Sequence, residues 1–140
     1  MAGFIEGVTR EHPTLFPARL EDWIGEDHLV RVVDLFVDQL DLPALGVQRH
    51  AAARTGRPGH HPAVLLKLFI QGYLNRIPSS RRLECEAGRN VGGMWLTGRL
   101  VPDHRTIADF RWQNGPAIHR TCARFVDLCR RIGVPRRNVR

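Results

Sequence analysis

Lysine is nearly missing from this chain. Of its 21 basic residues all but Lys67 are arginine. Cysteine is scarce too: Cys85, Cys122 and Cys129 form no CxxC pair and are odd in number. That excludes a disulfide framework and fits a reducing, cytoplasmic setting. The seven histidines are scattered without zinc-finger spacing. His60 and His61 are the one adjacent pair, and they read as surface or capping residues, so no metal site is expected. No apolar run approaches the roughly 18 residues of a membrane span. The opening MAGFIEGVTREH lacks a basic head followed by an apolar stretch, so no signal peptide is read there. No GxSxG, P-loop or HExxH occurs. Residues 57–140 carry only five carboxylates, whereas a two-metal phosphoryl-transfer site needs several that converge. Glu84 and Glu86, two apart on a helix, diverge. No catalytic residue, metal ligand or cofactor is assigned to these residues.

What is present is charge, unevenly placed. Residues 1–56 hold five basic and nine acidic groups, a balance of −4; residues 57–140 hold sixteen and five, a balance of +11. A cationic half of this kind seeks an anionic partner. Arginine's planar, multi-donor head suits phosphates and guanine edges. A GC-rich genome also favours arginine over lysine, but that does not explain the asymmetry. With 140 residues, 43% of them apolar, the chain can build one small core.

The periodicity is helical throughout, so the fold class expected is all-α. Leu29, Val32, Val33, Phe36, Val37 and Leu40 form one apolar stripe over 27–40, with Asp27 as N-cap. Leu15, Phe16, Leu20 and Trp23 are expected to tack the first segment onto the core. A second helix opens at Pro62, suited to the first helical position, and runs to about Arg76. It is apolar nearly all round, with Leu65, Leu68, Phe69 and Tyr73 among its core positions. Pro78 stops it. Ser79 or Ser80 caps a short polar helix ending at Arg89. Asn90, Gly92 and Gly93 break the chain before a helical turn at Met94–Leu96, which Gly98 ends. Thr106 and Asp109 suggest a capping box for the next helix, with Asp103 as the competing cap. Gly115 and Pro116 separate this segment from a last helix whose buried stripe is Ile118, Cys122, Phe125, Val126, Cys129 and Ile132. Gly133 ends it. Trp95 and Trp112 read as core anchors, and Cys122 and Cys129 as packed thiols. Asp127 is expected to pair with Arg124, Arg130 or Arg131.

A helix-turn-helix reader needs an inner apolar face, a tight turn and an outward polar or basic face. Two segments qualify. Ser80–Arg89 presents Arg81, Arg82 and Arg89, with Glu84 and Glu86 close enough to neutralise some of that charge. Thr106–Asn114, with Arg105 just before it, presents Asp109, Arg111, Gln113 and Asn114. From spacing alone, either face is equally a solvated surface.

Three ordered blocks carry a family resemblance: DHLVRVVD at 27–34, GRPGHHPAVLLKLFIQGYLNRIPSSRRLE at 56–84 and PDHRTIADFR at 102–111. Over about residues 20–132 the chain resembles the N-terminal, InsH-type DNA-binding domain of bacterial insertion-sequence transposases of the DDE class. The resemblance implies binding of double-stranded DNA at the element's terminal inverted repeats. In that family an RNase H-like domain follows, and Mg²⁺ belongs to it. Here the sequence runs IGVPRRNVR to its end, and none of the three catalytic carboxylates maps onto this chain. The expectation is therefore a transposase truncated before its catalytic domain and inactive alone.

The residues expected to contact DNA are Arg57, Arg81, Arg82, Arg89, His104, Arg105 and Arg111. The domains expected are an N-terminal helical extension at 1–55, a helical DNA-binding domain at 56–133 and a basic tail at 134–140. Partners expected are duplex DNA and either a second copy or a full-length transposase, with no membrane. The rival readings are a dimerisation module acting through the apolar face of helix 27–40, and a helix-turn-helix transcriptional regulator.

Overall fold

Leu65, Leu66, Leu68, Phe69, Ile70 and Leu74 recur too densely for a single stripe, so the helix carrying them must be covered on several sides. In a computed structural model, which describes residues 3–7, 10, 19–47 and 59–134, that helix is the axis of the fold. Six α-helices follow in order: α1 (Leu20–Trp23), α2 (Leu29–Asp38), α3 (Pro62–Leu74), α4 (Ser80–Arg89), α5 (Val91–Thr97) and α6 (His104–Ile132). No strand occurs among the described residues. Helix α3 packs against α2, α4, α5 and α6. Around it lies one hydrophobic cluster that draws on Leu20 and Ile24, on Val30, Val33 and Val37 of α2, and on Ile107, Phe110, Phe125 and Cys129 of α6. Phe69 stacks on Phe110 with ring centroids 5.9 Å apart, and Phe36 meets Phe125 edge-on at 5.3 Å.

Short polar side chains set most helix starts. The α2 cap is His28 rather than Asp27: its Nδ1 accepts the Val30 amide at 3.2 Å. His61 does the same for α3, accepting from Ala63 at 3.0 Å ahead of Pro62. Ser79 caps α4 through the Arg82 amide at 3.4 Å. Asn90 closes α4 and caps α5, accepting from Gly93 at 3.1 Å. Asp103, not Thr106, caps α6: its Oδ1 accepts the Thr106 amide at 2.8 Å, so the helix begins at His104. A charged oxygen aligned on the first free amides outcompetes the later capping box.

One expected break is not a break, and another falls a residue early. Gly92 and Gly93 lie inside α5. A Cβ on Gly93 would sit 3.0 Å from the Glu86 carbonyl oxygen and 3.6 Å from Ala87 Cα, so the missing side chain permits close approach of α5 to α4. The break expected at Gly115 and Pro116 lies at Asn114 (φ −123°, ψ 20°), which is non-helical. Two helical stretches meet there across a kink within α6, which runs on to Gly133, whose φ of 80° closes the helix. Proline in the interior removes one amide donor and bends a helix without necessarily ending it.

Four side chains expected in the core lie outside it. Trp23, Tyr73 and Ile132 are exposed, and Trp112 is 88% exposed. Asn114, expected to face outward, is buried. Asn114 follows Phe110 by four residues and Ile107 by seven, so it continues their buried face, whereas Trp112 lies on the far side of the helix.

Candidate nucleic-acid interface

Among the described residues, four carboxylates of the acidic half are held in ion pairs within the fold. Asp34 on α2 is 6% exposed and meets two cations, Arg10 Nη2 at 2.7 Å and Lys67 Nζ at 2.8 Å. Lys67, the one lysine, also reaches Asp38 at 2.8 Å, one helical turn further along α2. A buried charge is tolerated only when paired and hydrogen-bonded. Glu21 pairs with Arg31 and accepts the indole N–H of Trp95 at 3.2 Å. The Arg31 guanidinium holds the Glu21 carboxyl below the usual carboxylate range. Arg10 lies 3.9 Å from the centre of the Trp95 ring and Arg31 lies 5.2 Å from it, so buried Trp95 has two cations against its ring. Arg19 pairs with Asp22 at 3.2 Å.

The basic half is arranged the other way. Arg81, Arg82 and Arg89 on α4 and Arg105 on α6 are all exposed. Among the described residues none of the four has a carboxylate within 4.0 Å. Glu84 does not neutralise its arginine neighbours. It points to α6, where Oε2 accepts the His104 amide at 3.0 Å and Oε1 lies 3.6 Å from His104 Nδ1. That contact fastens the start of α6 to the middle of α4. Arg81 stands one turn before Glu84, and Arg105 stands next to His104. The two segments singled out by sequence are thus side by side in one unit. Arg82 and Arg89, seven residues apart, follow one side of α4 over roughly 10 Å.

The remaining expected contacts fare differently. Arg57 lies outside the described residues. His104 is half-buried and engaged by Glu84. Arg111 is half-buried, its guanidinium 5.1 Å from the centre of the Phe69 ring, so part of its donor fork remains available. On the same helix Asp127 pairs with Arg131 at 3.0 Å, and Arg120 donates to the Leu45 carbonyl at 2.6 Å.

Sequence reasoning missed Arg76 and Arg99. Both are exposed and adopt left-handed backbone geometry, with φ of 56° and 65°, directly after α3 and α5. Arginine carries no local signal for that region, which favours glycine and asparagine. Their backbones are held by bonds to Tyr73 and Met94 carbonyls, at 3.3 and 3.0 Å. Each projects another unpaired cation from the turn flanking α4 or α6.

Among the described residues no group of three or more His, Cys, Asp or Glu is placed to hold a metal ion. No described helix is long and apolar enough to cross a membrane. Cys122 and Cys129 are buried, and burial raises both thiols, Cys122 to about 11. The chemistry on offer is multidentate attraction for a polyanion.

No curated protein and no solved structure matches the chain. A family model described as a transposase domain (DUF772) matches residues 18–113, from just before α1 to the turn of α6 that precedes its kink. That span includes Arg81, Arg82, Arg89 and Arg105, the hydrophobic core of α3, and the Glu84–His104 contact; the chain belongs to the transposase domain (DUF772) family.

Proposed function

We propose that this domain binds double-stranded DNA for a transposase, at the terminal inverted repeats of an insertion sequence, through the joined face of α4 and the first half of α6. One observation carries the reading: Asp34, Glu21 and Asp38 of the N-terminal half are held by Arg10, Arg31 and Lys67, while Arg81, Arg82, Arg89 and Arg105 stand exposed on one unit without carboxylate partners. Membership of a transposase-domain family supports it. Most arginine contacts to DNA orient the protein through phosphates, and a minority read base edges. Arg105, at the start of α6, is the candidate for a guanine edge; Arg76, Arg81, Arg82, Arg89 and Arg99 are the candidates for phosphates. Neutralising about five phosphates gives a slope of log K against log salt near −4 to −5. A gel-shift titration on inverted-repeat DNA measures it. No retardation even at low salt overturns the proposal.

A second reading rests on a separate surface. Leu35 on α2 is 61% exposed. Beside it Val32, Phe36 and Leu40 line, with Leu128 of α6, a hollow of about 450 Å³. Protein association through this face, with a second copy or an intact transposase, is the alternative. Leu35→Glu separates the two: it abolishes association measured by sedimentation equilibrium and leaves the DNA titration unchanged.

A further inference from the structure

Trp112 is 88% exposed, the most exposed of the large apolar side chains. Its surroundings keep it so. On a helix the neighbours that would cover it are one turn away, and here they are Ala108, Asp109, Gly115 and Pro116. Ala108, Asp109 and Pro116 are exposed, and a Cβ on Gly115 would meet nothing within 4 Å. The indole therefore stands on a bed of small residues with its ring faces open. One cation shares its side of α6, Arg105, two turns earlier, while Arg111, next in sequence, turns toward the Phe69 ring.

An open aromatic ring with an arginine on the same side is what a single-stranded nucleic acid needs, since every base has a π-face and every linkage a phosphate. Within a paired duplex each base face is covered by its neighbour; the terminal pair leaves one face open but lacks the freedom of an unpaired base to fold over the ring. Asp109 adds a preference among bases. Its carboxylate is exposed and, among the described residues, has no cation within 4.0 Å. Beside the indole it repels a phosphate, and it accepts hydrogen bonds from an exocyclic amino group such as that of cytosine or adenine.

We propose that Trp112 is a stacking platform for an unpaired nucleobase at a DNA end, with Asp109 beside it favouring bases that carry an amino group. This rests on the DNA-binding reading above and goes beyond it, because it assigns frayed or tailed ends, not the closed duplex, to this part of α6.

The test compares a blunt duplex with the same duplex carrying an unpaired tail of cytosines, adenines or thymines. The full chain and its Trp112→Ala, Trp112→Phe and Asp109→Asn variants are titrated, with helical content checked by circular dichroism. The expected result is that Trp112→Ala weakens binding to cytosine- or adenine-tailed DNA by roughly tenfold to a hundredfold and leaves blunt DNA within about threefold. Trp112→Phe restores part of the loss. Asp109→Asn narrows the preference of those tails over thymine. A Trp112→Ala loss that is equal on blunt and tailed DNA, or absent on both, overturns the platform while DNA binding stands. Loss of self-association in Trp112→Ala with DNA binding untouched assigns the residue to a protein contact instead, and also overturns it. Thymine tails bound as tightly as cytosine tails overturn the part given to Asp109. No binding of any DNA by the unmodified chain removes the platform together with the DNA-binding reading.

Discussion

At the residue scale, the deciding quantity is whether a reactive or charged group has been taken out of water. Cys122 and Cys129 have; Cys85 on α4 has not. A thiolate is the reacting form, and burial pushes the Cys122 thiol up to about 11 and Cys129 in the same direction. One thiol of the three is therefore expected to react rapidly with a maleimide or disulfide reagent in the native protein, all three in denaturant, and peptide mapping should place the first label on Cys85. The Asp34 cluster gives a second comparison. Asp34→Ala leaves Arg10 without its carboxylate and buried Lys67 with only the half-exposed Asp38, so the cost is expected to fall somewhat below the about 3–5 kcal/mol of a buried pair broken outright. Lys67→Met removes the opposite partner, but Arg10 still neutralises Asp34 and the methionine fills the same space with an apolar stem. Its cost is expected to be about 1 kcal/mol or less. Urea denaturation of both variants measures the difference; equal losses would mean that Arg10 contributes nothing to holding Asp34.

At the scale of elements, helix starts carry more of the design than helix lengths do. Asp103 accepts the Thr106 amide, in the first turn of α6, at 2.8 Å, and the Thr106 backbone and hydroxyl keep its carboxyl below the usual range. A carboxylate of lowered pKa contributes stability that is fully present above its unfolded value and is lost as pH falls through the lowered one. Asp103→Ala is expected to cost about 1 kcal/mol at neutral pH, read from thermal melts, and to flatten the acid side of the stability profile. It should also weaken DNA binding, because His104 and Arg105 sit on the turn it organises. Much of this level was legible in the residues. The α3 and α4 spans, the Pro62 start, the Ser79 cap and the Gly133 stop follow from local rules that hold in isolation. What failed depended on neighbours. Gly92 and Gly93 look like breakers until α4 lies against α5. The break before Pro116 was legible, but its place at Asn114 was not. Trp112 looks like a core anchor because it is large and aromatic, although it lies off the side that Ile107 and Phe110 turn to the core. The pairing of Glu84 with His104 joins residues twenty apart, and spacing of that length carries no register.

At the scale of the whole molecule, the arrangement of charge decides what the chain can grip. The net +7 of the chain matters less than its partition. Carboxylates concentrated in residues 1–56 hold cations in place along α2, while the exposed arginines of α4 and α6 are left without internal work. Two classes of arginine follow, and they should respond oppositely to substitution. Arg10 and Arg31 are engaged with Asp34, Glu21 and the Trp95 ring; replacing either with glutamine lowers stability, because a hydrogen-bonded, partly desolvated ion pair loses one partner. Replacing Arg81, Arg82, Arg89 and Arg105 together with glutamine removes no ion pair, so stability stays within about 1 kcal/mol or rises as like-charge repulsion is relieved. The same four changes are expected to flatten the salt dependence of DNA binding by about three in slope, close to one for each phosphate that Arg81, Arg82 and Arg89 no longer neutralise. Melting curves and salt titrations on the one quadruple variant check both halves. A variant that unfolds would show these arginines to be structural, and one that keeps the full slope would move the DNA-binding surface to another face, with Arg120, Arg124 and Arg130 on the far half of α6 the next cations to change.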